Sequence, residues 1–365
     1  MLLAESEKWA GWLNRLNGRA DPACCLIYNP PISMAATHKA LMELIRGIHN
    51  IKPRHRGCVL TIGNFDGVHQ GHHAVLARLQ EKAAQLGLPA CVMLFEPQPL
   101  ELFAGSAAPA RLSRWREKYE ALKGMQIDRM LCVRFTHRFA EQAACTFIEQ
   151  LLVEKLGVHY LVVGDDFRFG KGREGDFHLL EEAGRRFGFE VISTQSFQLS
   201  RQRVSSTLVR EALKAGRMAE VELMLGRPYA ISGRVAHGDK LGRTIGFPTA
   251  NLALKRQVVP VGGVFAVEVI CSGKTFPGVA NVGVRPTLSG TQARLEVHLF
   301  DFSGDLYGQQ VKVLLRHKLR EEQKFDSFTA LKEQIERDAL AARAWFGLPQ
   351  FHLPSTLLEK KGTQD

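Results

Sequence analysis

Gly63–His72 reads GNFDGVHQGH, and the reading of this stretch decides the fold. It follows a short apolar run, Cys58–Ile62 (CVLTI), and leads into a helical pattern whose apolar positions include Val75, Leu76 and Leu79. A strand that passes through a glycine-rich loop into a helix leaves unpaired backbone N–H groups and the positive end of the helix dipole at the junction, which makes an anion site. Gly63, Gly67 and Gly71 allow the backbone to approach a phosphate without side-chain obstruction. His69 and His72 stand at that junction with Gly71 between them, and His-x-Gly-His in this setting points to nucleotidyl transfer. The four-residue string alone is common; the strand–loop–helix context gives it weight.

Working outward, strand-like runs recur at the spacing of a βα repeat: Cys58–Ile62, Ala90–Phe95, Arg129–Val133, Tyr160–Val163 and Glu190–Ser193. Helical patterns lie between them at Ala74–Gln85, Arg114–Leu122, Cys145–Leu156 and Phe177–Arg186. Alternation of this kind predicts a parallel sheet covered by helices, with ligands beyond the C-terminal strand ends, where GNFDGVHQGH falls. Ser206–Leu225 reads as two short helices. Near Gly226-Arg227-Pro228 the pattern changes. From there Gly and Pro punctuate alternating runs at Gly233–Ala236, Val264–Ile270, Pro277–Val282, Leu295–Phe300 and Val311–Leu315, an all-β signature of a small barrel or sandwich. A final amphipathic helix carries Phe328, Leu331 and Ile335 on one face. The organisation expected is an extension at 1–41, an α/β domain at 42–226, a β domain with its helix at 227–350 and a tail at 351–365. Met42 opens the compact stretch MELIRGIHNI that leads to the first strand expected, so translation is expected to begin there; an appended helix over the first residues is the other reading.

The 365 residues suffice for two domains, and 45% apolar with 23% charged residues describes a folded protein rather than a disordered one. A net charge of +11 favours acidic partners, nucleic acid or phosphorylated small molecules. The basic residues are scattered rather than clustered, which favours the small molecules. Seven cysteines, without C-x-x-C spacing, read as reduced core thiols. No uncharged apolar run approaches the roughly 20 residues needed to cross a bilayer, and MLLAESEKWAGW lacks a signal-peptide core. The expectation is a cytoplasmic protein, monomeric or weakly self-associating, with no nucleic-acid or membrane partner.

Four groups of residues carry chemistry. Adding a nucleotidyl group to a phosphate monoester needs no strong base, because the attacking oxygen is already anionic; it needs donors at the α-phosphate, which His69 and His72 supply. The same pair at i, i+3 fits part of a metal site, but no third ligand stands at helical spacing. Arg203-Val204-Ser205-Ser206-Thr207 leads into a helix bearing Arg210, where hydroxyls, amides and two guanidinium groups suit a departing pyrophosphate. Taken alone, Ser206 and Thr207 read equally as N-caps. Val163–Gly175, VGDDFRFGKGREG, follows a strand and is rich in Gly, aromatics and charge, as a loop recognising a planar ligand would be. In the β half, Gly242–Leu252 (GRTIGFPTANL) presents Thr249 and Asn251 as oxygens for a hard cation such as Mg²⁺ carrying a nucleotide, or as an ordinary turn. Leu295–Leu299 (LEVHL) alternates, placing Glu296 and His298 on one face, where Glu296 is either a base for an attacking alcohol or a solvated outer residue.

Together these blocks resemble the bifunctional bacterial riboflavin kinase/FAD synthetase family. The resemblance rests on GNFDGVHQGH, GDDFRFGKGREGD, SSTLVREAL, LGRPY, GRTIGFPTANL, GVANVGVRPT, LEVHLFDF and DLYG, in order from about Met42 to Gly347. It implies a Rossmann-like nucleotidyltransferase domain that adenylylates FMN, followed by a six-stranded antiparallel β-barrel that phosphorylates riboflavin, with ATP as co-substrate and Mg²⁺ as cofactor. It implies that His69 and His72 contact the ATP phosphates, with Gly63, Asn64, Asp66 and Gly71 forming the loop around them. Asp166, where some relatives carry Asn, would help position FMN or Mg²⁺, and Arg203, Ser206, Thr207 and Arg210 would hold the triphosphate. In the barrel Thr249 and Asn251 would hold MgATP and Glu296 would be the base on the ribityl 5′-hydroxyl. Arg320, in KLREEQKF, would sit in a loop near the flavin. A different enzyme class with HxGH chemistry, the aminoacyl-tRNA synthetases, is disfavoured by the length and by SSTLVR where a KMSKS-like motif would stand.

Overall fold

The computed structural model describes residues 42–194, 204–236, 247–254, 258–287 and 290–349. The expected extension at 1–41, the C-terminal tail and Arg203 lie outside the described residues, as does the Gly242–Gly246 part of the GRTIGFPTANL block.

The first half is a six-stranded sheet in the order β1-β4-β3-β2-β5-β6, every neighbouring pair parallel. Its strands are β1 (Glu43–Arg46), β2 (Cys58–Ile62), β3 (Ala90–Glu96), β4 (Arg129–Arg134), β5 (Val158–Val163) and β6 (Glu190–Ser193). The central strands β2 and β3 are buried along almost their whole length, because helices cover both faces of a parallel sheet and each face must be apolar. Those helices include α1 (Gln70–Leu86), α2 (Pro99–Ala104), α3 (Trp115–Gly124), α4 (Phe147–Lys155) and α5 (Phe177–Phe187). α4 is wound as a π-helix extending a short α-helical turn, where the Cys145–Leu156 pattern predicts an ordinary helix. The first strand expected, Cys58–Ile62, is the second. β1 precedes it at the sheet edge, four residues long and closed by Gly47, too short to show a periodicity.

α6 (Ser206–Lys214) and α7 (Met218–Leu225) then lead into a closed antiparallel barrel in the order β10-β11-β8-β7-β12-β9. Its strands are β7 (Tyr229–Ala236), β8 (Ala250–Ala253), β9 (Gly263–Cys271), β10 (Lys274–Thr287), β11 (Gly290–Leu299) and β12 (Gln310–Arg320). Five of them contain the alternating runs read from sequence. The sixth, β8, lies in the TANLA segment and is too short to alternate visibly. Leu295, Val297 and Leu299 face the barrel interior with Phe265, Val267 and Val313, as the period of two requires. The outer face of β9 and β10 is covered in turn by α8 (Phe328–Trp345), through Ala339 and Ala342 against Ala266, Val279 and Phe300.

The cores of the two halves are not sealed off from each other. One apolar cluster joins the barrel interior to Val209, Leu213, Val221 and Leu225 of α6 and α7 and to Leu112, which precedes α3. Polar contacts reinforce it: Tyr229 Oη donates to Leu112 O at 3.0 Å, Arg114 Nη2 to Ser232 O at 2.8 Å, and Ser232 N to Glu117 Oε1 at 3.0 Å.

Met42 is 6% exposed and packs beneath α1, and the first β1 bond runs from Glu43 N to Asp128 O at 2.9 Å. Removal of residues 1–41 keeps both contacts, so thermal melting and catalytic activity of the shortened chain should match the full one. A large loss in either would make the extension part of the fold.

Candidate active site

The sheet order reverses between β2 and β5: from β2 the chain moves outward through β3 and β4, from β5 toward β6 on the other side. Loops leaving the C-terminal ends of β2 and β5 therefore diverge and open a crevice, the place where parallel sheets bind ligands. The loop after β2 is GNFDGVHQGH and the loop after β5 is GDDFRFG. A cavity of about 1120 Å³ lies there, lined by Gly63, Asn64, His69, Gly71, His72, Asp166 and Ser206 among the residues singled out in the sequence.

The β2 loop is bent by left-handed backbone at Phe65 (φ 46°), Gly67 (φ 84°) and Val68 (φ 44°). A phenylalanine and a β-branched valine in that region cost of order 1–3 kcal/mol each, which persists only where the surroundings over-determine the conformation. The surroundings do so from behind. Asp66, 3% exposed, accepts from the backbone N–H groups of Leu112 and Ser113, both at 3.0 Å, and from Arg210 Nη2 at 2.6 Å. Ser113 Oγ accepts from Gly67 N at 2.9 Å, and Arg227 Nη2 donates to Gly67 O at 2.8 Å. Lys118 is fully buried and its Nζ donates to Asn64 O at 2.7 Å. Burial lowers the Lys118 pKa, with the neighbouring Asp66 charge opposing that shift.

His69 caps α1, and its backbone N–H donates to His72 Nδ1 at 3.2 Å, the N3-to-N-cap half of a capping box. The two imidazoles stack with centroids 3.7 Å apart. Burial holds the His72 pKa well below its ordinary 6.5, helped by the charges of His69, Lys118 and His73. A neutral ring whose Nδ1 accepts carries its proton on Nε2, so His72 presents an N–H donor from the cavity wall. Gly71 is required for a reason other than phosphate approach: a Cβ there would meet Val204 O at 2.8 Å and the His69 ring at 3.1 Å, so it lets the α6 lead-in close over the loop.

The structure divides the expected ligand set. Asp66 and Arg210 do not line the cavity; they satisfy each other behind it, and Arg210 Nε also donates to Ala110 O at 2.6 Å. Thr207 is exposed and off the cavity lining. The N-cap of α6 is neither Ser206 nor Thr207 but Ser205, whose Oγ accepts from Leu208 N at 3.3 Å. Ser206 Oγ instead donates to Asp66 O at 3.0 Å, joining α6 to the β2 loop.

Sequence reasoning missed Lys118 and most of an aromatic wall. Phe95, Phe103, Phe135 and Phe139 line one part of the cavity, with Phe95 edge-on to Phe135 at 5.5 Å between centroids. Phe167 and Phe169 stack at 5.5 Å. The FRF of the β5 loop signals the second pair; FTHRFA after β4 is the signal for Phe135 and Phe139. The wall offers a planar ring system the face and edge contacts it favours.

In the barrel, directly paired residues share a face, and the register runs Asn251 on β8, Glu296 on β11, Asn281 on β10, Val264 on β9. Glu296 and Asn251 are thus cross-strand neighbours on the outer face, half-buried beside the segment bearing Thr249. His298, two residues beyond Glu296, donates from Nδ1 to Pro248 O at 3.0 Å and stands edge-on to Phe247 at 5.1 Å, fixing the turn before Thr249. Arg320 belongs to the end of β12 rather than to a loop, and its Nε and Nη2 donate to the two carboxylate oxygens of Asp338 on α8, at 2.8 and 2.7 Å. That pairing commits it to holding the helix against the barrel.

The crevice thus lies at the C-terminal edge of a parallel sheet, and the closed barrel that follows brings Asn251 and Glu296 together on its outer face. The sequence matches the FAD synthetase family over residues 51–208 and the riboflavin kinase family over residues 225–346. It is 59% identical over 309 residues to the bifunctional riboflavin kinase/FMN adenylyltransferase of Escherichia coli K12, covering 84% of this chain and 99% of that one. The Pseudomonas fluorescens protein of the same description is 54% identical over 304 residues, covering 83% and 97% of the two chains. A crystal structure titled as a macrolide-efflux protein from Streptococcus pneumoniae superposes with a TM-score of 0.69 at 30% identity, covering 84% of this chain and all of that one. The chain belongs to the bifunctional riboflavin kinase/FMN adenylyltransferase family and is an enzyme of flavin cofactor biosynthesis. Among the described residues no helix is long and apolar enough to cross a membrane.

The state of His72 has a consequence for stability. The unfolded chain protonates this ring near 6.5 while the folded chain resists, so below that pH the unfolded state binds more protons and stability falls as pH falls. Denaturant unfolding between pH 8 and 5 should show this loss, and His72→Asn, which keeps an acceptor for His69 N–H, should reduce it. A variant as acid-sensitive as the parent would mean that His72 titrates normally in the fold.

Proposed function

We propose that residues 42–226 adenylylate FMN at the sheet crevice and residues 227–350 phosphorylate riboflavin on the outer face of the barrel. The observation that supports this most is the convergence, in one cavity, of neutral His72, the start of α1 and an aromatic wall. In the first reaction an FMN phosphate oxygen attacks the α-phosphorus of ATP, the new P–O bond forms and the bond to the β-phosphate oxygen breaks, releasing pyrophosphate. The nucleophile is already anionic, so these residues need to orient the phosphates and stabilise the developing charge. His72 Nε2–H, His69 and the first amides of α1 do that, with the Lys118 charge behind Asn64 adding to the field. The flavin ring stacks against the phenylalanines while Asp166 and Ser206 border the phosphates.

In the second reaction the ribityl 5′-hydroxyl attacks the γ-phosphorus of ATP and ADP leaves. A neutral alcohol is a poor nucleophile, and Glu296 takes its proton. Thr249 and Asn251 offer neutral oxygen donors, which suit Mg²⁺ carried on a nucleotide better than a dedicated protein cage. When bound, magnesium would neutralise phosphate charge; Thr249 and Asn251 would hold it there. We infer further that the protein is cytoplasmic, monomeric or weakly self-associating, and without a nucleic-acid partner; its scattered basic charge supports the last of these.

Glu296→Gln keeps the size of the side chain and removes its basicity. Riboflavin phosphorylation should fall by about 100-fold or more, consistent with the loss of a general base. Riboflavin binding and the conversion of supplied FMN to FAD should persist. Phosphorylation near the parent rate would make Glu296 an outer-face residue only, and failure of both reactions would mean that the substitution disturbs the shared core.

A further inference from the structure

The barrel row contains one polar member with no assigned role. Asn281, in GVANVGVRPT on β10, is paired directly with Glu296 on β11 and so stands beside it on the same face, with Asn251 on the far side of Glu296. The residue is half-buried and its Oδ1 is buried with no hydrogen-bond donor among the described residues. Buried side-chain oxygens are nearly always paired, so an acceptor left open next to a proposed base points to a donor brought by a ligand. On the opposite side of Asn281 the row continues with Val264, which offers no hydrogen-bonding side chain.

We propose that Asn281 is a substrate-positioning residue of the kinase reaction, its Oδ1 accepting a hydrogen bond from the ribityl 4′-hydroxyl. The inference rests on the reading of Glu296 as the base for the 5′-hydroxyl. The chemistry of the acceptor selects the partner: at neutral pH the nucleotide triphosphate brings oxygens and negative charge, which a carbonyl oxygen repels, whereas the polyol brings O–H donors. Spacing agrees. Directly paired residues on neighbouring strands stand about 4.5–5.5 Å apart at Cα, a distance over which adjacent hydroxyls of an extended polyol can reach both side chains. With the 5′-hydroxyl at Glu296, the hydroxyl beside it falls to Asn281. The amide thereby fixes the rotation of the terminal carbons and turns the 5′-oxygen toward the phosphate. It discriminates a polyol chain from an apolar one without touching the isoalloxazine ring.

The test combines a variant with a substrate analogue, on the full-length protein. Asn281→Ala should raise the KM for riboflavin, and the dissociation constant read from flavin fluorescence, about tenfold, while the KM for ATP stays within about twofold. 4′-Deoxyriboflavin should lose a similar factor with the parent enzyme and lose nothing further with Asn281→Ala, because both changes delete the same contact. FMN adenylylation by the variant reports that the chain is folded, and the analogue measured on the parent requires no substitution at all. Equal use of riboflavin and its 4′-deoxy analogue by the parent would overturn the proposal. So would penalties that multiply, or a variant whose defect lies in the KM for ATP. Glu296→Gln measured alongside separates the two readings. If it phosphorylates normally, the base assignment fails and the positioning role with it; if it is inactive while Asn281→Ala is unimpaired, only the present inference fails.

Discussion

The Asp66 carboxylate fixes the geometry of the first site. It lies in the middle of a loop whose flanking residues occupy unfavourable backbone conformations, and it ties that loop to two amides before α3 and to a guanidinium from α6. A carboxylate so buried persists only because every partner is charged or correctly aimed; deleting one side of such a pair typically costs about 3–5 kcal/mol. Through Asp66 the strain at Phe65 and Val68 is held against relaxation, and through it the donors of His72 and the α1 amides are in place before any ligand arrives. Lys118 and Arg227 extend the same arrangement to the loop carbonyls on either side of it.

Much of this was legible in the sequence, and what was not has identifiable reasons. β2 through β5 were readable because strands enclosed on both faces appear as largely apolar runs, whereas the half-exposed edge strand β6 was readable by its place in the βα repeat. β1 and β8 escaped because four residues cannot display a period. The HxGH loop was placed correctly by its position between strand and helix, but its charged neighbours were not. Arg210 looks available to a substrate when read along the chain; only the fold shows that Asp66, expected to shape the loop, is its partner. Lys118 was invisible for the opposite reason, since a lysine on an amphipathic helix is ordinarily a solvated one and nothing local marks this one as buried.

The barrel teaches a related lesson about faces. Alternation along β11 separates Glu296 and His298 from the core residues, and the sequence reveals that much. It does not reveal which neighbours those two acquire, because Asn251 comes from a strand distant along the chain, and Asn281, on the adjoining strand of the same hairpin, meets Glu296 only through register. His298 then has a structural task, holding the turn at Pro248. Arg320 shows the converse, a residue attributed to the flavin that is instead occupied by Asp338.

The apolar cluster that runs from Leu112 and α6–α7 into the barrel bears on how proteins of this architecture can be recombined. A graft that joins the sheet of one relative to the barrel of another at Gly226 would pair a foreign Tyr229 and Ser232 with the resident Leu112, Arg114 and Glu117. It would also bring a foreign residue to the position from which Arg227 grips the Gly67 carbonyl. The transferable unit is therefore not a half cut at its connecting peptide. It is the barrel together with the surface formed by Leu112–Glu117, and a chimera that respects that boundary keeps both the seam and the loop that depends on it.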